Sequence, residues 1–468
     1  MQSRRDQVEA QTYVLGRLTG ALVAAEPDGL ENPNRRMVVG MISGVLVAAL
    51  VVVGCLIFGA LVPGGATRWR QPGVLVVEKE TGTRYVYLDG LLRPVLNHTS
   101  ARLLFGTEPK TVTVSRASLR GVGHGQPVGI VGAPDALPTG GTVDQQVWTV
   151  CAVAAPDRAG TILSATTLSI ESDGAPRDDR PLAADEAILV EAEKQTFLVW
   201  RGRRLRLTEP WLLRVLGFDG AAFPVWTGWL ESVPVGPDIG PPDVPGRGRP
   251  GPVVDGRRAT VGELFTARTP GNPERHYLLQ TDGLAELNTF AYTLVAADPR
   301  TAQAYAGRPV RPTELSPAAL AVLPVSRRPV LAAELPTTPP RRAVAPDRGT
   351  WCVRQSIADG QTEVTVDLPV PPAREVEAGA GVTFSSRTVN AVAVAPGLGG
   401  LALAGRAGQA AGSGLYLLTD AGVKYPVGSA TVAAQLGFPA TTARPVPRRL
   451  LEMLPTGPLL DPSSAARG

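Results

Sequence analysis

The chain has 468 residues, and 46 lysines and arginines stand against 42 acids for a formal net charge of +4. That length suits about three ordinary domains or a repeat array, and so small a charge gives no footing to a nucleic acid partner. Glycine (52) and proline (44) make up about a fifth of the chain, above the roughly 12% of average proteins but short of disorder, and three cysteines exclude a disulfide-dense miniprotein.

The first predicted element is a short amphipathic helix. Val8, Leu15, Leu18 and Leu22 recur at spacings of 7, 3 and 4, which places them on one helix face. Ser3 with Asp6 three residues on is a start signal, and Glu26-Pro27-Asp28-Gly29 ends the segment. Residues 1–36 have no core in which to bury that stripe, so it either docks a partner or lies on a membrane surface. Residues 37–62 follow, 26 in a row without a charge. As a helix they reach about 39 Å, more than the ~30 Å hydrocarbon core. There is no second run of this kind, so one crossing is expected. Arg4, Arg5, Arg17, Arg35 and Arg36 precede it, and Arg68 and Arg70 are the nearest bases after it. That bias puts the N-terminus in the cytoplasm and residues 63–468 outside.

Beyond the crossing a pattern recurs four times: an aromatic, an apolar run, a glycine turn and a second apolar run. It is seen at Tyr85 to Gly90, Phe197 to Gly202, Tyr277 to Gly283 and Tyr416 to Gly422. Asp-Gly between strand-like runs is a hairpin signal. Helical material follows, with Leu216-Gly217-Phe218 in the second copy and Leu436-Gly437-Phe438 in the fourth, each glycine 15 residues past the turn glycine. The same two copies close alike, on Val233-Pro234-Val235-Gly236-Pro237 and Leu454-Pro455-Thr456-Gly457-Pro458. The copies begin 112, 80 and 139 residues apart, too unevenly for a solenoid, so the first and third gaps hold insertions.

Those insertions contain Cys151 and Cys352, each near a tryptophan in a strand-like run, while Cys55 lies inside the apolar segment. In an exported domain two cysteines suggest one disulfide; two free buried thiols are the alternative. The bond would close a loop of 201 residues, worth up to about 5 kcal/mol in the chain-entropy picture. It would join both insertions into one central β domain, with strands over 147–153, 161–170, 350–354, 362–368 and 388–394. Pro/Gly-rich stretches at 236–252, 335–348 and 445–462 read as extended connectors or surface loops.

Catalytic and metal signatures are missing. None of the four lysines (Lys79, Lys110, Lys194, Lys424) follows a glycine, so there is no phosphate-binding P-loop. His98, His124 and His276 sit in separate segments without ligand spacing. Gly121-Val122-Gly123-His124-Gly125 reads as a surface loop because Pro127 follows at once. Residues 397–414, rich in small side chains, also read as a loop. Trp200, Trp211, Trp226 and Trp229 read as core. No catalytic, cofactor-binding or metal residue is nominated.

The chain resembles the EccB family, the single-span membrane components of actinobacterial type VII (ESX) secretion systems. The resemblance runs along essentially the whole chain. Its landmarks are the N-terminal helix with Tyr13, Arg17 and Ala21-Leu22, the apolar span, Pro72-Gly73, Glu80-Thr81-Gly82 with Tyr85, and Asp89-Gly90. Then come Pro94-Val95-Leu96-Asn97, Ser100-Ala101-Arg102-Leu103, the run Gly132 to Pro138, both cysteines beside tryptophan, and Leu454-Pro455-Thr456-Gly457-Pro458. The resemblance implies four repeat domains around a disulfide-bonded β core. It implies work with EccC, EccD, EccE, the mycosin protease and other copies of the same chain.

The resulting expectation is an α+β protein: one N-terminal transmembrane helix, then an elongated, pseudo-two-fold extracytoplasmic body of four hairpin-plus-helix repeats around the disulfide-linked β domain. Its divisions are 1–36 (cytoplasmic helix and linker), 37–62 (span), 73–122, 186–240, 258–334 and 406–468 (repeats), and 123–185 with 344–405 (central domain). The expected function is a structural subunit of the secretion complex in the cell membrane, with no cofactor. Two alternatives stand beside it: an extracytoplasmic ATPase, a label some family members carry, and a cell-wall-binding module.

Overall fold

A computed structural model describes residues 4–24, 33–61, 67–106, 108–139, 143, 146–156, 162–172, 180–268, 271, 273–343, 350–359, 361–366, 374–375, 379–405 and 414–467. They form two compact units, Met1–Pro94 with Lys110–Gly125, and Val95–Pro109 with Gln126–Gly468.

The first unit opens with helix α1 (Arg4–Ala24) and helix α2 (Pro33–Leu61). Within α2, Arg36–Phe58 is long and apolar enough to cross a membrane, and no other described helix is. A small sheet follows from β1 (Val74–Glu78), β2 (Arg84–Leu88) and β3 (Leu91–Pro94). Asp89 and Gly90 both have positive φ, 52° and 80°, as a two-residue turn matched to strand twist requires. After α3 (His98–Phe105), which belongs to the second unit, β4 (Lys110–Val114) lies parallel to β1, and α4 (Arg116–Leu119) ends the motif. The core here is Trp69, Val74, Val76, Tyr85, Leu92, Val114 and Leu119.

The second unit starts with the long strands β5 (Gln146–Pro156) and β6 (Ile162–Ser172) and the short β7 (Arg180–Pro181). A second small sheet follows: β8 (Glu186–Ala192), β9 (Gln195–Trp200), β10 (Arg203–Arg206), α5 (Trp211–Val215), β11 (Phe223–Pro224) and α6 (Thr227–Ser232). Next are a hairpin of β12 (Pro250–Val254) and β13 (Arg257–Thr260) and a third sheet of β14 (Leu264–Ala267), β15 (Arg275–Gln280) and β16 (Gly283–Leu287). Helix α7 (Thr289–Ala297), β17 (Thr313–Glu314) and α8 (Pro317–Val322) complete it. The chain then makes β18 (Arg341–Arg342), β19 (Thr350–Ser356), β20 (Thr362–Val366), β21 (Arg374–Glu375) and β22 (Ala391–Val394). The last sheet comprises β23 (Gly400–Ala404), β24 (Leu415–Leu418), β25 (Lys424–Pro426), α9 (Ala430–Gln435), β26 (Arg444–Val446) and α10 (Arg448–Glu452), before the terminal α11 (Pro462–Arg467).

The four small sheets share one order: third strand, second, first, then the fourth parallel to the first. In each, a returning segment bridges the third strand in parallel: Leu92 with His124, Arg204 with Val235, Leu284 with Val325, Lys424 with Thr456. The helix between third and fourth strands starts alike in three of them, on Asn97, Asn288 or Ser429, whose side chain accepts the N–H three residues on. Such a cap satisfies an otherwise orphaned donor. In the second and fourth sheets that helix ends in a Schellman turn, with Phe218 N–H on Leu213 and Phe438 N–H on Ala433, across Gly217 and Gly437 in the left-handed region.

Several expectations need correction. Residues 400–404 form a central strand, with Leu401 and Ala402 buried, so the fourth sheet begins at 400, before the expected boundary of 406. Its Gly-Leu-Ala-Leu-Ala composition carries little strand propensity; pairing on both edges decides the conformation. The 236–252 stretch is no plain connector, since Ile239 bridges Leu207, Val244 is buried and β12 starts at Pro250. In 335–348, β18 joins β8 in parallel. The 445–462 stretch holds α10, with Leu450 and Leu451 buried. Helix α1 is less one-sided than expected, because Gln11 interrupts the apolar stripe and Tyr13 stands opposite it at 100° per residue. Ser3 and residues 26–29 lie outside the described residues.

Candidate functional site

At the centre of the second unit is a seven-stranded sheet ordered β21-β22-β6-β5-β19-β20-β7. Strands β5 and β19 come from the two inserted segments. Their antiparallel register sets Cys151 opposite Cys352, and residues equally far from the two cysteines pair, Val153 with Thr350 and Val147 with Ser356. The two cysteines form a disulfide with Cα atoms 4.0 Å apart. Outer strands are exchanged: β22 of the second segment flanks β6 of the first, and β7 of the first flanks β20 of the second. Hydrogen bonds therefore interlock the two segments as well as the covalent link.

The second and fourth sheets lean on this centre through α6 and α10, which touch each other. Their side chains Trp229, Leu230, Leu450, Leu451 and Leu454 share one core with Trp148, Trp351 and Val353. Trp229 Nε1 donates to the Trp351 carbonyl at 3.0 Å. The carbonyls ending these helices are buried and need donors. Arg204 Nη1 donates to Leu230 at 2.9 Å, and Lys424 Nζ donates to Leu451 and Leu454 at 2.7 and 2.6 Å. A cation also suits a helix C-terminus. At the matching positions of the first and third sheets stand Leu92 and Leu284. Burial lowers both cations, and the Lys424 amine falls to about 8 although Glu452 opposes the shift. Sequence reasoning passed over Lys424; its signal was a lone lysine between Val423 and Tyr425 in an apolar strand.

A groove runs beside each of the first three small sheets. In the first sheet it is about 410 Å³, with Glu78, Thr81, Tyr85, Arg116, Arg120 and His124. Arg116 Nε, 2.5 Å from Glu78, and the Thr81 hydroxyl, at 2.7 Å, hold the Glu78 carboxyl below the usual carboxylate range. In the second sheet, Arg206 pairs with Asp238 beside Glu193 and Glu231. In the third it is smaller and apolar, with Ala267, Leu315, Leu320 and Ala321. The carboxylates Glu78 and Asp238 are thus spent on arginines. His98 lies 3.0 Å from Glu108, His124 meets the edge of Tyr85 and His276 stacks on Tyr292. Among the described residues no three potential metal ligands cluster. In the glycine loop before Pro127, the Gly125 N–H is bonded to the Leu92 carbonyl at 2.9 Å. All four tryptophans of the second sheet pack against its cores.

On α1, Val8, Leu15, Leu18 and Leu22 are each more than half exposed. Helix α2 likewise presents its apolar side chains outward along its length.

Comparisons with known proteins agree with one another. The family model described as "Type VII secretion system ESX-1, transport TM domain B" matches residues 1–468. The ESX-3 secretion system ATPase EccB3 of Mycolicibacterium smegmatis is 27% identical, over 98% of this chain and 90% of its own. The ESX-1 secretion system ATPase EccB1 of Mycobacterium tuberculosis is also 27% identical, over 98% and 93%. Among solved structures, a chain of the periplasmic assembly of the ESX-5 inner membrane complex superposes with TM-score 0.70 at 22% identity, covering 86% of this chain and 97% of that one. The EccB3 dimer of the ESX-3 core complex gives 0.65 at 26% identity, covering 84% and 99%.

Proposed function

Since this chain belongs to the EccB family of type VII secretion membrane components, we propose that it is a structural subunit of an ESX inner-membrane complex. The observation that carries this reading is the whole-chain family match over one membrane-length helix and an interlocked β body. Helix α2 crosses the inner membrane once, with α1 in the cytoplasm and the body in the periplasm; the arginine bias around α2 supports that orientation. The body consists of four repeats, 73–122, 186–240, 258–334 and one from 400, around a central domain of segments 123–185 and 344–399. Shared strand order and exchanged central strands support that division.

Val8, Leu15, Leu18 and Leu22 grip a cytoplasmic partner, and the assembly includes EccC, EccD, EccE, the mycosin protease and further copies of this chain. The subunit needs no cofactor. "ATPase" stands in the names of relatives, and no residue pattern here supplies a nucleotide site. Purification of the tagged chain from detergent-solubilised membranes tests the reading. It should bring down other secretion subunits in one large species; recovery of the chain alone from intact membranes would overturn it.

A further inference from the structure

The third sheet is preceded by the β12–β13 hairpin, which has no counterpart before the other three among the described residues. Its helix α7 also runs into a seven-residue 3-10 segment, Pro299–Tyr305, and a proline-containing loop before β17. These additions enclose a concavity of about 440 Å³ lined by Arg257, Glu263, Tyr305, Arg308, Arg311 and Thr313, with Pro309 and Pro312.

Its floor is built from satisfied groups. Glu263 is buried and accepts from Arg257 twice, Nη1 at 3.1 Å and Nη2 at 2.6 Å, so the lining carboxylate is already neutralised. Tyr305 is 5% exposed. Its hydroxyl accepts the Leu264 N–H at 2.9 Å, and among the described residues its own proton meets no acceptor. Arg308 and Arg311 stand on the rim, both exposed. Arg308 uses Nε on the Tyr305 carbonyl at 3.2 Å, and Arg311 makes no bond to any described residue. Each precedes a proline, which restricts its backbone to extended conformations. Three arginines against one glutamate leave the lining at +2.

We infer that this concavity binds a phosphoryl anion. Unmatched fixed charge in a cleft concentrates ions of opposite sign. A carboxylate offers two coplanar oxygens, which one guanidinium satisfies. Here two guanidiniums and a phenol O–H, supplied by different parts of the loop, suit a tetrahedral group with three or more oxygens and up to two negative charges. The volume lies within the range of small-molecule sites. This site goes beyond the scaffold role and does not depend on it.

The test is calorimetric titration of inorganic pyrophosphate into the full-length protein in detergent. Saturable binding is expected, weaker at high salt. R308A with R311A should lower the affinity at least tenfold, and R311A alone should lower it without moving the melting temperature, since Arg311 holds nothing in place. R203A with R214A, exposed arginines of the second sheet, should leave it unchanged. Dihexanoyl-phosphatidylglycerol, kept below its micelle concentration, separates two sources of this chemistry: displacement of pyrophosphate assigns a lipid-type phosphodiester, and failure to displace assigns a free phosphoryl anion. Absence of saturable heat, or equal loss in both double variants, would overturn the site.

Discussion

Cys151 and Cys352 are the residues whose chemistry reaches furthest, because they join strands that lie 201 positions apart. Cross-linking so long a loop restricts the unfolded chain by about 5 kcal/mol in the entropic picture. Cys151→Ser with Cys352→Ser should therefore lower the denaturant midpoint of the β body sharply. The hydrogen-bonded register remains, so circular dichroism of the folded state should not change. Lys424 provides a second expectation. Its amine titrates near 8 when folded and at the ordinary 10.5 when unfolded. Between those values the unfolded chain binds more protons, so stability rises with pH across that window, by up to about 3 kcal/mol. Below pH 8 both states are charged and the burial penalty is carried in full. Melting temperatures from pH 7 to 10 should show the rise, and Lys424→Met should flatten it relative to the parent protein.

At the scale of elements, the small sheets depend on how their helices stop. Gly217 has φ +76° with open space where a Cβ would sit, whereas at Gly437 (φ +88°) a Cβ would come 2.9 Å from Arg102 Nη2. Gly217→Ala should cost about 1–2 kcal/mol, the left-handed penalty alone. Gly437→Ala should cost more, because Arg102 must shift while paired to Glu108; paired thermal melts separate the two. Helix α1 poses a different question, since its stripe is exposed along its length. A buried leucine contributes roughly 1.5–3 kcal/mol. Leu15→Asp with Leu18→Asp should leave membrane insertion intact, because α2 is untouched, and should dissolve the large complex on native gels. An unchanged complex would favour a helix lying on the membrane.

For the molecule as a whole, the expected role is mechanical. The intact chain, purified in detergent, should hydrolyse no ATP above background through successive orthogonal purifications. Turnover that tracks the protein and is abolished by one point substitution would sink that expectation. The exchanged strands point the same way: a central sheet that draws β5, β6 and β7 from one insertion and β19, β20 and β22 from another resists separation of its halves. Reduction of the disulfide should therefore weaken the body without splitting it, which size-exclusion chromatography under reducing conditions can follow.

Local chemistry alone determined the membrane-length helix, the hairpin turns and the candidate cysteines. An uncharged run, an Asp-Gly dipeptide between apolar strands and two cysteines near tryptophans each act over a few residues, so their consequences can be read without a partner segment. Only the tertiary structure decided the rest. Strand β23 is poor in strand formers and exists because β24 and β26 pair with both its edges. Lys424 becomes a helix cap only because α10 returns onto β25. The arginine-lined concavity forms because β13 and the loop after Tyr305, some fifty positions apart, meet beside β14. In each case the deciding contact joins residues far apart in the chain, and short-range propensity carries no information about such contacts.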